Sequence, residues 1–199
     1  MVQTLTKTDC SPADYLSFEV ESPERHEYIE GEILLMTGGT PNHNRISGNL
    51  LAELKMALKG QPYEVFMTDQ RLHISLANIY TYPDVMVMAE PVELMPNRKD
   101  TVVNPLLIAE VLSSSTQGYD RGQKFAAYRT IERFQEYLLI DQSAYRVEQF
   151  IKTEPNKWLF VEYSDRDAVI EINTLNLQIK LSDLYEKVRF EDIDAENIS

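Results

Sequence analysis

Pro105-Leu106-Leu107-Ile108-Ala109-Glu110-Val111-Leu112-Ser113-Ser114-Ser115-Thr116 is an apolar run opened by a proline and closed by a Ser/Thr cluster, with one carboxylate inside it. A short apolar run bounded by turn residues predicts a buried strand. If both faces of that strand are covered, an ionised Glu110 is costly unless something pairs with it. A fold does not need that cost, so Glu110 reads as placed for chemistry, and its partners are to be sought on either side.

Upstream, Tyr80-Thr81-Tyr82-Pro83-Asp84-Val85-Met86-Val87-Met88 is strand-like, and period-two alternation puts Asp84 on the face of Tyr82, Met86 and Met88. Pro83 lacks an N–H, so the ladder begins near Asp84, which reads either as a turn residue or as a partner of Glu110. Downstream, Phe125, Tyr128, Ile131 and Phe134 give the core face of a helix predicted over Tyr119–Arg133, on which Lys124 and Tyr128 are neighbours. Arg121, Lys124, Arg129 and Arg133 make that helix locally positive. Glu136–Asp141 is a further strand. Tyr145–Lys152 with Lys157–Tyr163, and Ala168–Ile172 with Leu177–Leu181, read as C-terminal β-hairpins.

Before the core, Ser11 is an N-cap with Pro12 in the first turn and Asp14 closing a capping box, for a helix to about Phe18. Glu30-Gly31 is a tight turn between strands Glu27–Ile29 and Glu32–Met36. Asn42 is expected to cap a helix carrying Ile46, Leu50, Leu54 and Leu58 on one face and ending at Gly60. His43 falls in its first turn, facing a neighbouring site or lying over the helix end. Tyr63–Met67 and Arg71–Ser75 are strands, and Glu90–Val102 is a polar loop that is a candidate for mobility and ligand contact. Residues 1–10 read as a frayed arm and 186–199 as an acidic, solvated tail.

The 199 residues suit a single domain, with 43% hydrophobic and 26% charged residues as in folded soluble proteins. Thirty-two acids against 19 bases give a net charge of -13, which disfavours non-specific attraction to nucleic acid or an anionic membrane. The lone Cys10 excludes an internal disulfide and fits a reducing compartment. With no membrane-length apolar run and no signal pattern, a cytoplasmic protein is expected. His26, His43 and His73 lack metal-type spacing, so a zinc site is disfavoured.

Two carboxylates on adjacent strands, Asp84 and Glu110, with Lys124 on the next helix, can converge at one sheet edge. Two ionised acids held close repel, and a divalent cation between them removes the penalty. Oxygen ligands favour Mg²⁺ or Mn²⁺ over zinc. Such a site suits phosphodiester hydrolysis by metal-activated water, with the ammonium orienting the nucleophile or offsetting negative charge.

Tyr82-Pro83-Asp84, Ile108-Ala109-Glu110-Val111-Leu112-Ser113, Asp120 with Lys124 and Tyr128, and Glu136 to Asp141, preceded by Arg25-His26-Glu27-Tyr28-Ile29-Glu30-Gly31-Glu32 and His43, resemble the "putative restriction endonuclease" family of the PD-(D/E)XK nuclease superfamily. The similarity runs from about Ser11 to Leu184. It implies an α/β fold: a restriction-endonuclease-like core, with a mixed β-sheet flanked by helices, often as a homodimer. By position it makes Asp84 and Glu110 metal ligands, with the backbone carbonyl of Val111 as a further one. The superfamily places a lysine two residues after the second acid, where this chain has Leu112; Lys124 fits the role from the following helix. His43, Tyr128 and Glu32, which follows the turn, are possible accessory residues.

Two readings follow. One is a Mg²⁺-dependent DNA endonuclease. The other, favoured by the acidic surface and by Leu112, is a catalytically inactive protein of the same fold acting as a dimeric interaction module.

Overall fold

The structure, a computed structural model, describes residues 4–5, 9–113 and 116–190, the backbone alone at 4–5. The Ser114-Ser115 turn and most of both predicted termini lie outside these residues. Two six-stranded sheets hold most of the strands.

The first sheet is N-terminal, with strand order β1-β3-β2-β6-β5-β8. Its hairpin joins β2 (His26–Ile29) to β3 (Glu32–Leu35). Glu30 and Gly31 both have positive φ, 49° and 105°, the geometry that lets a two-residue turn follow the twist of its strands. β1 (Thr4–Leu5) pairs with β3, so part of the arm read as frayed is a strand. Helix α1 (Pro12–Glu21) covers this sheet, with the expected Ser11–Asp14 capping box, and runs three residues beyond Phe18. Tyr15, on its buried face, packs on Tyr28 and Tyr80 with ring centroids 5.2 and 5.3 Å away. β5 (Arg71–Ile74) pairs antiparallel with β6 (Ile79–Thr81) and parallel with β8 (Thr101–Val102).

The expected single stretch from Tyr80 to Met88 is two strands. β6 belongs to the first sheet and β7 (Val85–Ala89) to the second. Pro83, with no N–H to donate, sits at the break. Asp84 therefore stands where the chain passes from one sheet to the other, and Tyr82 stays with the first.

The second sheet, ordered β12-β11-β10-β9-β7-β4, is mixed. β4 (Tyr63–Met67), β7 and β9 (Pro105–Leu112) pair antiparallel, as do β10 (Glu136–Asp141), β11 (Val147–Glu154) and β12 (Lys157–Tyr163). β9 and β10 pair parallel. That parallel pair requires a crossover, which explains why β9 is apolar on both faces. Val85, Val87, Leu107, Ala109 and Val111 pack under α2 (Pro41–Ala57) with Ile46, Leu50 and Leu54. Met86, Met88, Ile108 and Leu112 pack under the crossover with Phe125, Tyr128 and Tyr137. Glu110, between Ile108 and Leu112, faces the crossover and is 4% exposed.

The crossover is shorter than the predicted helix and not uniform. It comprises α3 (Gln117–Tyr119), a π-helical segment (Asp120–Lys124) and α4 (Phe125–Tyr128). Ile131 and Phe134 are core residues, as expected, but sit in the turns after the helix. At α2, Thr40 rather than Asn42 is the cap: its Oγ1 accepts from the backbone N of His43 at 3.1 Å, and Pro41 takes the first helical position. Asn42 Nδ2 instead donates to the carbonyl of Arg189 at 2.7 Å. The hairpin of β13 (Val169–Ile172) and β14 (Leu177–Lys180), with α5 (Leu181–Leu184), completes the core under α2. Val188 and Phe190 pack there as well, so the described start of the expected solvated tail is anchored.

Candidate active site

Asp84 and Glu110 meet at the end of β7. The backbone N of Asp84 donates to Glu110 Oε2 at 3.3 Å, and the backbone N of Val111 donates to Asp84 Oδ2 at 2.8 Å. Within a strand the N–H and C=O of one residue point to the same side, so the Val111 carbonyl also faces the Asp84 side of β9. β7 begins at Val85, opposite Ala109, so at Val111 no strand residue of β7 stands across. The sequence therefore ends one strand early and leaves a carboxylate where a ladder bond would be.

The crossover delivers two donors to the other oxygen of Glu110. Lys124 Nζ lies 3.1 Å from Glu110 Oε1, and Tyr128 Oη donates to the same atom at 2.7 Å. The spacing of four residues puts both on one face, as the sequence predicts. Leu112 is buried among the aromatic residues of that face, so the ammonium reaches Glu110 from the helix.

Lys124 has two further carboxylates, Glu27 Oε1 at 3.3 Å and Asp120 Oδ1 at 3.5 Å. Neither had a role assigned from the sequence. The available signal for Asp120 was its i,i+4 spacing to Lys124. For Glu27 it was a carboxylate on β2, whose partner β6 runs straight into Pro83-Asp84. Glu32, chosen as the accessory acid, is exposed at the far end of the same hairpin and is not part of the cluster.

His43 is brought to Asp84, with Nε2 3.1 Å from Oδ2. Gly39 makes room for the ring, since a Cβ there would lie 2.7 Å from His43 Nδ1. That buried Nδ1 has no hydrogen-bond partner among the described residues. His26 bonds Glu19 and His73 stacks on Tyr80, so the three histidines serve three separate places.

Three carboxylates thus surround one ammonium, and a fourth, Asp84, abuts Glu110. Burial is the main force raising the Glu110 carboxyl; Lys124 opposes it and Asp84 adds to it, and the net is a pKa pushed up to about 8. Asp120 is also raised, chiefly by burial. Burial pulls Lys124 down, but the charges of Glu110 and Glu27 outweigh it and hold the amine well above its ordinary value. For His43, burial again pulls down, and the bond to Asp84 together with the charges of Asp84, Glu110 and Asp120 more than offsets it. The ammonium persists at neutral pH. The surplus negative charge is what takes up a proton, which belongs to the coupled cluster rather than to one oxygen.

Among the described residues no three acid, histidine or cysteine side chains converge closely enough to hold a metal ion alone. The donor chemistry nonetheless fits a hard cation. Two carboxylates abut, negative charge is in excess, Glu110 Oε2 carries only the 3.3 Å bond among the described residues, and the Val111 carbonyl faces the same side. Mg²⁺ commonly takes one or two carboxylates and completes its shell with water.

The sequence matches the Uma2 family, described as "Putative restriction endonuclease", over residues 12–182. The chain belongs to the Uma2 family. Two Synechocystis relatives of this Uma2 chain are each described as an uncharacterized protein. The first, sll1609, is 44% identical over 177 residues, covering 89% of this chain and 99% of its own. The second, slr1290, is 34% identical over 182 residues, covering 90% and 93%. A crystal structure from Anabaena variabilis, described as a putative nuclease belonging to DUF820, superimposes with a TM-score of 0.68 at 19% identity, covering 87% of the Uma2 chain and 96% of its own. The fold is the mixed α/β arrangement of that nuclease-like structure, as the sequence led us to expect.

Other expected features of the Uma2 chain differ. The helix bases are largely engaged: Arg121 pairs with Glu148 at 2.7 Å, Arg133 with Glu93 at 3.1 Å, and Arg129 lies over the Phe125 ring. The 90–102 loop is fastened rather than free. Glu93 N donates to Asn104 Oδ1 at 3.0 Å, and Asp100 binds both Arg98 and Arg71 at 2.6 Å. Among the described residues, no helix is long and apolar enough to cross a membrane.

Proposed function

We propose that this chain is a Mg²⁺- or Mn²⁺-dependent endonuclease that hydrolyses phosphodiester bonds of DNA. The observation that carries the reading is the abutment of Asp84 and Glu110 at the strand end, with Lys124 on the far oxygen of Glu110. Family membership supports a nuclease, and the lone buried Cys10 suits the cytoplasm.

Asp84, Glu110 and the Val111 carbonyl would hold the cation. A bound Mg²⁺ or Mn²⁺ supplies Lewis-acid polarisation of a phosphoryl oxygen and a water acidified for attack. Lys124, held as an ammonium, cannot serve as the general base. It donates hydrogen bonds and positive charge toward the negative charge that grows on the phosphoryl group. His43 and the N–H of Val111 fix the orientation of Asp84, and Tyr128 fixes that of Glu110.

The test is melting and cleavage measured together. Mg²⁺ or Mn²⁺ should raise the melting temperature of the parent, and Asp84→Asn and Glu110→Gln should abolish both that rise and cleavage of plasmid DNA. Unchanged melting with either ion would remove the hydrolase reading.

The second reading, an inactive dimeric interaction module, draws on the pairing of Arg121 with Glu148 and of Arg133 with Glu93, and on Leu112. A homodimer is part of both readings. Exposed Leu159 and Phe160 on β12, an edge strand, support such a contact, and sedimentation of the purified chain tests it.

A further inference from the structure

Lys124 is held by more carboxylates than an ion pair needs, and they come from different parts of the fold. Glu110 belongs to the central strand β9 of the second sheet. Asp120 is on the same π-helical segment as the lysine. Glu27 reaches across from β2 in the first sheet, and its Oε1 also accepts from Thr81 Oγ1. The β2–β6 register pairs Tyr28 with Tyr80, so one step along it Glu27 stands opposite Thr81. Thr81 is fully buried, three residues before Asp84. Glu27 is thereby fixed to the segment that carries Asp84 while its oxygen points at the ammonium.

A lysine on β9 at position 112 would be aimed by its own strand. Lys124 is presented by a π-helical segment of five residues and a long flexible side chain, so its aim must come from partners. Glu110 alone is an unreliable one, because a cation at the site draws its charge away. We propose that Glu27 is the positioning residue for Lys124: with Asp120, it keeps the ammonium beside the carboxylate pair when Glu110 engages the divalent cation. This rests on the endonuclease reading above and extends it, making the first sheet a working part of the site.

The test follows the ammonium itself. In protein carrying ¹⁵N-lysine, the Lys124 signal is assigned with Lys124→Arg and followed as MgCl₂ is added, alongside melting and plasmid cleavage. In the parent the signal should stay resolved at saturating Mg²⁺. Glu27→Gln keeps the size and loses the charge: its signal should be resolved without Mg²⁺ and broadened by solvent exchange with it. Its Mg²⁺-induced melting rise should remain, while cleavage slows by about tenfold to a hundredfold, the cost of a misplaced group. Glu27→Asp, which retains the charge, should recover part of the rate, and it carries the same measurement if Glu27→Gln does not fold.

A resolved Lys124 signal and parental cleavage in Glu27→Gln at saturating Mg²⁺ would overturn the positioning role and leave the endonuclease reading intact. Loss of the signal before any Mg²⁺ is added would overturn the division of labour, since Glu110 would then not hold the lysine even unoccupied. A parent whose melting ignores Mg²⁺ would overturn both readings together.

Discussion

Glu110 and Glu136 lie on adjacent parallel strands and point to opposite faces of one sheet, both buried, with opposite provision for their charge. Glu136 is met by Gln149 Nε2 and by the backbone N–H groups of Asn173 and Thr174. Among the described residues, Glu110 receives Lys124 and Tyr128 on one oxygen, and on the other only the 3.3 Å bond from Asp84. Burial pushes Glu110 up to about 8. A carboxylate whose donors are complete ties a fold together. One that is left short of donors beside a second acid has capacity for a cation.

Lys124 and Tyr128 share Glu110 Oε1, yet their removal should separate rate from stability. Lys124→Met takes away charge near the reacting phosphate and should cut cleavage by about 10²–10³ while leaving Mg²⁺ affinity nearly unchanged. Tyr128→Phe takes one donor from a buried carboxylate and should cost about 1–2 kcal/mol in urea unfolding with a smaller rate effect. Cleavage that survives Lys124→Met would remove the lysine from the mechanism.

The buried acids and His43 give the stability a pH dependence with a definite sign. The Glu110 carboxyl is raised from its ordinary 4.5 to about 8, so between those values the folded chain holds a proton that the unfolded chain has lost. That stability is whole below about 4.5 and disappears as pH climbs through about 8. His43, raised from 6.5, acts in the same direction: its contribution is complete below 6.5 and is lost as pH rises through its folded value. Asp100, lowered to about 2 first of all by Arg98, loses its contribution only in acid. Without divalent cations the melting temperature should therefore fall from pH 5 to pH 8, and Glu110→Gln should leave a shallower slope, from His43 and the likewise raised Asp120. Because Mg²⁺ competes with these protons, the rise it produces should grow over the same range. Melting that climbs with pH in the absence of metal would contradict the assignment.

The pattern of residues carried the second sheet well, because β9 reads as apolar on both faces and its neighbours follow in chain order. The structure brings Asp84, Glu110, Lys124 and Tyr128 together, and His43, which reads either as facing a site or as lying over the helix end, comes to Asp84. What escaped was long-range. Nothing local marks Tyr82-Pro83-Asp84 as a passage between two sheets, so Glu27, paired to Thr81 on the far side of that passage, had no visible route to Lys124. Thr40 and Asn42 are both good cap residues, and only Pro41 between them, suited to the first helical position, favours Thr40. Nor does an acid in a strand announce its use. Glu136 is as deeply buried as Glu110, and only the turn at Asn173–Thr174, more than thirty residues on, decides that it is structural.

Ion pairing on the crossover should make DNA binding weak and responsive to one substitution. Arg121 is held by both oxygens of Glu148, at 2.7 Å and 3.1 Å, and cannot also meet a phosphate without breaking that pair. Glu148→Ala should release it and tighten non-specific duplex binding, with a log K against log salt slope steeper by about 0.9 for one added phosphate contact. Arg121→Ala in the parent should change affinity little. If Arg121→Ala alone weakens binding as much as a free phosphate contact would, the pair opens on DNA and the helix is a binding face after all.

Glu136 offers the clearest structural prediction, because its three donors come from two separate elements. Gln149 Nε2 on β11 reaches it and also donates to the Glu171 carbonyl on β13 at 2.7 Å, while Tyr163 Oη donates to Gln149 Oε1 at 3.0 Å. The turn after β13 contributes its own N–H groups, Asn173 at 3.3 Å and Thr174 at 2.9 Å. Glu136→Ala strands these donors in a dry interior and should cost roughly 3 kcal/mol, read from urea unfolding. The loss should appear first in the C-terminal hairpin, as faster hydrogen exchange at Ile172, Asn173 and Thr174 than in β9. Glu136→Gln should recover only part of it, since an amide NH₂ then faces a backbone N–H. Divalent-ion binding at Asp84 and Glu110, on the opposite face, should survive both substitutions. Should Glu136→Ala abolish that binding while the hairpin exchanges normally, the two buried glutamates would belong to one site, and the separation of roles between the sheet's faces would be wrong.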